Sequence, residues 1–236
     1  MAQAQRDADH AAELRFTRDR SLILLGFWRG FRSDELVRLS VKNVQIVASE
    51  GMTCYLDRSK GDRQALGRVY KCPSLSRLCP VTAFSQWISL AKLDQGPVYR
   101  SIDRWGNIAD QAMHPNSLIP LLRSMLSLAG VAAVDEYSSH SLRRGFAGWA
   151  RSSGWDLKDL MEYVGWTDIK SAMRYLEEDN TFLQARFERG LEASPEQKNS
   201  TLPVVPPATS PAPLPIAPPT VLVLVTISQE RYRPHQ

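Results

Sequence analysis

The apolar positions of this chain change period several times, and the changes mark its elements. Residues 18–29, RDRSLILLGFWR, form a nearly continuous apolar run behind a basic start and predict a buried helix, broken by Gly30-Phe31-Arg32. Ser33 then caps a short helix, with Asp34 and Glu35 in a first turn where the macrodipole favours acid and Leu36 and Leu39 along its apolar edge. From there the period drops to two. Residues 44–48 and 52–56 flank the turn Ser49-Glu50-Gly51 and predict a hairpin whose buried face carries Met52, Cys54 and Leu56. A polar turn over 57–63 leads to a third strand over 67–71.

Helical periodicity takes over downstream. A helix over 80–92 has a proline near its start, and a polar loop containing Asp103-Arg104-Trp105-Gly106-Asn107 follows. His114-Pro115-Asn116-Ser117 opens a helix to about Ala129, with Leu118, Leu121, Leu122, Met125 and Leu128 on one face. Ser138 or Ser139 caps a helix over 140–153 that Gly154 ends, and Asp156 caps one reaching Val164 with Gly165 as its stop. Thr167 or Asp168 caps a further helix ending near Asn180, with Ile169, Met173 and Leu176 as its core stripe. Residues 181–193 make a short amphipathic helix with Leu183, Phe187 and Leu191 spaced by four. The expected fold class is α+β, mainly helical, with a small three-stranded antiparallel sheet at one edge.

Composition adds limits rather than identity. The 236 residues suffice for one good core, or one domain with a long appendage. A net charge of +4 is compatible with a polyanionic partner without requiring one. Three cysteines, Cys54, Cys72 and Cys79, lack C-x-x-C spacing, which argues against a disulfide framework or a zinc site and for a reducing cytoplasm. No apolar run approaches the ~20 residues of a membrane span, so no membrane association is expected. Ten of the fifteen prolines follow Ser194, so 194–236 is expected to be a Pro-rich, disordered tail.

A set of residues stands outside the packing patterns. His140 and Arg143, at i and i+3 at the start of one helix, project to one side, and positive charge is disfavoured at that end unless an anion is held there. Arg32 immediately precedes another helix N-terminus, which already favours an anion. Lys60 lies at a turn tip, where its long amine can reach over a site, and Trp166 behind Gly165 offers one indole donor. Tyr175 points about a third of a turn or more away from the Ile169–Met173–Leu176 stripe and is poorly placed for a core. Taken singly, each has an ordinary explanation as a surface, turn or packing residue. Together they supply what transfer of a phosphodiester needs: guanidinium forks for the nonbridging oxygens, a nucleophile and an acid.

The segments R-S-D-E-L-V-R-L, S-K-G-D, H-S-L-R-R, V-G-W-T-D and M-R-Y-L, in that order over about 18–190, resemble the catalytic domain of the tyrosine recombinases, the phage-integrase type of site-specific recombinase. The resemblance implies a catalytic domain over 18–193 behind a polar leader over 1–17, which itself reads as a leader or as part of the first helix. It implies that Tyr175 attacks the scissile phosphate of double-stranded DNA to give a 3′-phosphotyrosyl link. Arg32 and Arg143 would stabilise the transition state, His140 would assist proton movement, Trp166 would add a donor or buttress, and Lys60 would protonate the leaving 5′ oxygen. Because the covalent step conserves phosphodiester energy, no cofactor, ATP or metal is implied. The family further implies a homo-tetramer on DNA through the 181–193 helix, a cytoplasmic, nucleoid-associated location, and an N-terminal DNA-clamping domain that the short leader cannot build. A type IB topoisomerase and a truncated, non-catalytic DNA-binding remnant are the competing expectations.

Overall fold

The computed structural model describes residues 2–47, 49–57, 67–166 and 168–173, with the backbone alone for 2–7 and 171. Helix α1 (Ala2–Arg29) runs without interruption through the polar leader into the apolar stretch, whose Leu22, Ile23, Leu24, Leu25 and Phe27 are all buried. It stops where the chain supplies a glycine. Gly30 adopts φ +60°, its N–H donates to the Phe27 carbonyl at 3.0 Å, and the Phe31 N–H donates to the Gly26 carbonyl at 3.1 Å. These two bonds satisfy carbonyls the helix end would leave orphaned, and they turn the chain into α2 (Ser33–Val37).

Strands β1 (Val44–Val47), β2 (Gly51–Leu56) and β3 (Arg68–Pro73) form the expected antiparallel sheet in the order β1-β2-β3. Period-two alternation puts Met52, Cys54, Leu56, Tyr70 and Cys72 on the buried face, while Tyr55 and Val69 are exposed. Gly51 opens β2 rather than completing the turn: a Cβ there would lie 2.2 Å from the Cys72 carbonyl oxygen, so the strands approach too closely for any side chain. The left-handed turn residue is Ser49, at φ 64°.

Helix α3 (Pro80–Leu90) packs along α1 and buries Trp87, whose indole N–H donates to the Val98 carbonyl at 2.8 Å. The polar stretch that follows, expected as a loop, is a two-stranded hairpin of β4 (Arg100–Ile102) and β5 (Ile108–Ala112). Its tip is folded around Asp103, whose carboxylate accepts from the N–H groups of Trp105 at 2.8 Å and Asn107 at 2.9 Å. The apolar alternation in these strands is too weak to announce them, and the turn is set by one aspartate. A 3-10 turn over Pro115–Ser117 leads into α4 (Leu118–Leu128).

Helices α5 (Ser141–Ser152), α6 (Leu157–Val164) and α7 (Ile169–Met173) complete the described chain. Leu142, Phe146, Ala147 and Ala150 bury one face of α5 against α1. Asp156 caps α6 by accepting from the Asp159 N–H at 2.7 Å, and Gly165 ends it at φ 81°, both as its sequence predicts. Ile169 and Met173, expected on a core stripe, are exposed, and the buried member of α7 is Ala172. A short helix can lie close to its neighbour on a methyl group, and the larger residues are then displaced to solvent. The core is continuous between α1, α3, α5, α6 and the inner face of the sheet. No described helix is long and apolar enough to cross a membrane. The 181–193 helix and the Pro-rich tail lie outside the described residues.

Candidate active site

Two helix beginnings and one helix end converge on the turn at Gly30. Arg32, half-buried, is the residue before α2, and Glu35 in the first turn of that helix reaches back to it. One Glu35 carboxylate oxygen accepts from the Arg32 backbone N–H at 2.8 Å, and the other accepts from Arg32 Nη1 at 2.8 Å. Glu35 itself is 3% exposed, so its charge is balanced almost entirely by this arginine and the helix N-terminus. The pair fixes the guanidinium instead of leaving it to sweep solvent.

Arg143 sits one turn into α5, on the same side as Ala147 and Ala150, and is 2% exposed. Its Nη2 donates to the Val164 carbonyl at 3.0 Å, and its Cζ lies 5.6 Å from the centre of the Trp166 ring. Trp166, 7% exposed, is held in turn by its backbone N–H on the Met161 carbonyl at 2.9 Å. His140 stands at the N-cap position of α5, exposed, with Nδ1 3.2 Å from Ser139 Oγ. His140 thus takes the N-cap position expected for Ser138 or Ser139, and its side chain makes no capping hydrogen bond. Ser138 Oγ accepts from the His140 N–H at 3.4 Å, and the Ser138 N–H donates to Ser141 Oγ at 2.8 Å.

Gly30 is the hinge between these groups. A Cβ at that position would be 3.4 Å from Val164 Cγ1 and 3.6 Å from Arg143 Cγ. The backbone two residues before Arg32 thus presses against both Arg143 and the residue whose carbonyl anchors it. The turn that leads to Arg32, Arg143 and Trp166, from three separate stretches of chain, thus meet around Gly30, and His140 precedes Arg143 by three residues at the start of α5. Side chains of these types, two planar cationic forks, an imidazole and an indole donor, are suited to holding an oxyanion.

Lys60 falls in 58–66 and Tyr175 in 174–236, both outside the described residues. The segment carrying Lys60 joins the paired ends of β2 and β3, Leu56 and Arg68, and Arg68 Nη2 donates to the Glu162 carbonyl at 3.1 Å near the end of α6. Tyr175 follows the last described residue of α7 by two positions. The exposure of Ile169 and Met173 removes the stripe from which its outward direction was reasoned. Two contributors were not anticipated. Glu35 read only as an acid suited to a first turn, although a carboxylate at the third helical position is placed to bond back to the residue before the helix. Arg29 read as the end of a buried run, and its burial at 3% gives no sequence signal beyond a charge among apolar neighbours.

With the fold and this cluster in place, comparison with known proteins identifies the class. The model of the phage integrase family matches residues 3–181, and the chain belongs to that family. An integrase/recombinase xerD homolog of Selenomonas ruminantium is 31% identical over 169 residues, which is 70% of this chain and 48% of that protein. The chain therefore spans about half the length of that curated relative. Among solved structures, XerA recombinase aligns with a TM-score of 0.55 at 17% identity, covering 81% of this chain and 64% of that one. XerH site-specific recombinase bound to its difH substrate, in a pre-cleavage complex, aligns with a TM-score of 0.53 at 18% identity, covering 78% of this chain and 50% of that one. Both share the fold: a mainly helical domain with a small antiparallel sheet.

Proposed function

We propose that this chain carries the catalytic centre of a site-specific recombinase that breaks and rejoins double-stranded DNA through a covalent bond to Tyr175. The observation that carries this reading is the joint at Gly30, where the Arg32 turn, Arg143 and the Val164–Trp166 corner meet. Two guanidinium groups held by protein partners suit a pentacoordinate phosphorus whose charge develops on nonbridging oxygens, and holding them in advance avoids reorganisation during reaction. Tyr175 attacks the phosphorus and the 5′ oxygen leaves with a proton from Lys60. His140 hydrogen-bonds the phosphate and assists proton movement, and Trp166 backs Arg143 and donates its N–H. A second 5′ hydroxyl then reverses the step and completes strand exchange.

The same reading assigns the catalytic domain to 18–193 and the protein's work to the cytoplasm and nucleoid. It also assigns the 181–193 helix to contact between protomers in a DNA-bound tetramer. A pool of nicked duplexes with a randomised site around the nick tests the chemistry. Protein that resists removal by denaturant marks cleaved DNA, and sequencing that DNA gives the substrate. Arg143→Ala is expected to lower the yield of this adduct by ~100-fold or more, the scale of removing one preorganised donor, while duplex binding persists. An Arg143→Ala protein that traps DNA like the unsubstituted chain would refute the assignment.

A further inference from the structure

We infer that Arg29 and Tyr163 are positioning residues for the two arginines of the site. This rests on the reading above, in which Arg32 and Arg143 act on the phosphate. Arg29, the last residue of α1, is 3% exposed and forms no ion pair with any carboxylate among the described residues. Its guanidinium lies between two aromatic rings instead, 4.0 Å from the centre of Tyr163 and 4.8 Å from that of Tyr70. Arg29 Nη2 also donates to the Tyr163 carbonyl. The bond is reciprocated: Tyr163 Oη donates to the Trp28 carbonyl at 2.8 Å. The end of α1 and the end of α6 thus hold each other by two hydrogen bonds in opposite directions, with a cation–π stack between them.

What hangs on this clasp is the site. Arg29 directly precedes Gly30, whose turn places Arg32. Tyr163 directly precedes Val164, whose carbonyl takes Arg143 Nη2, and Trp166 follows two residues later. Tyr163 also packs on Phe146 at 5.3 Å between ring centres, one turn beyond Arg143 in α5. The clasp therefore sets the spacing between the turn that delivers Arg32 and the carbonyl that orients Arg143. Tyr70 on β3, the far side of the stack, also meets Phe31 edge-on at 5.1 Å, so the sheet steadies the same turn.

A buried guanidinium with no carboxylate opposite it among the described residues is a costly way to fill a core, because its desolvation is only partly offset. An apolar chain such as methionine can fill similar space without that cost. Function and stability should then separate. The test uses the full chain and a duplex recovered by covalent trapping, with single-turnover adduct formation, duplex affinity and thermal midpoint measured together. Arg29→Met is expected to keep or raise the midpoint and keep the affinity. It should slow adduct formation by ~10–100-fold, the scale of a small misplacement of catalytic groups.

Arg29→Lys, which keeps the charge and loses the planar fork, is expected to slow it as well, and it serves if the methionine variant does not fold. In an Arg143→Lys background, Arg29→Met should cost far less than in the unsubstituted chain, since the group it positions is already compromised. Normal adduct formation by Arg29→Met, or an equal loss in both backgrounds, would overturn the inference. Should Arg143 variants themselves keep full activity, the reading of the site fails and the clasp loses its catalytic meaning with it. If only the Arg29 variants keep activity, the clasp alone is wrong.

Discussion

Cys79 shows how local hydrogen bonding sets the chemistry of a side chain, in a way that the other two cysteines of this chain do not share. All three cysteines are buried free thiols. Burial raises Cys54 to about 12, with Arg29 pulling the other way, and burial likewise raises Cys72. Burial also opposes ionisation of Cys79, but its Sγ accepts from the backbone N–H groups of Leu75 and Thr82, each at 3.4 Å, and lies 3.7 Å from Ser74 Oγ. Together these donors outweigh burial and bring the thiol down to about 7. Its thiolate fraction therefore rises through neutral pH, while the other two stay protonated. Iodoacetamide should label Cys79 first, with a rate that climbs between about pH 6 and 8, read by mass spectrometry of tryptic peptides. Equal labelling of all three cysteines, or a climb only above pH 9, would contradict this account.

At the scale of elements, the crossing of α1 and α5 decides where Arg143 can stand. Gly26 lets the two helices approach: a Cβ there would lie 2.8 Å from Leu142 Cδ1 and 2.9 Å from Leu36 Cδ1. Leu142 is the neighbour of Arg143 in the chain, so any wedge at Gly26 is felt at the site. Gly26→Val should destabilise the fold by ~1–3 kcal/mol through overpacking, measured by urea denaturation, whereas Gly148→Ala, which meets nothing within 4 Å, should not. The elements around this crossing were legible because each carries its own signal. Examples are the apolar run of α1, the Asp156 cap and Gly165 stop of α6, and the alternation of Met52, Cys54 and Leu56. The β4–β5 hairpin and the direction of α7 were not. One is held by a single Asp103 turn, and the other is a short helix whose burial is decided by what it leans on rather than by its own period.

Over the whole molecule, the site is assembled by tertiary contacts that no periodicity reports. Arg32 and Arg143 could be picked out because each sits where charge is unusual, at a helix start. The supports they need, Glu35, the Val164 carbonyl and the Arg29–Tyr163 clasp, are ordinary residues until the fold brings them together. The family fixes the architecture in which they meet, while the chemistry assigned to them rests on Tyr175. The most direct measurement is therefore the fate of Tyr175 on a nicked duplex recovered by trapping. The unsubstituted chain should form a denaturant-resistant adduct whose nucleotide-bearing tryptic peptide maps to Tyr175. Tyr175→Phe should bind the same duplex and form none; an adduct that survives this substitution would contradict the account.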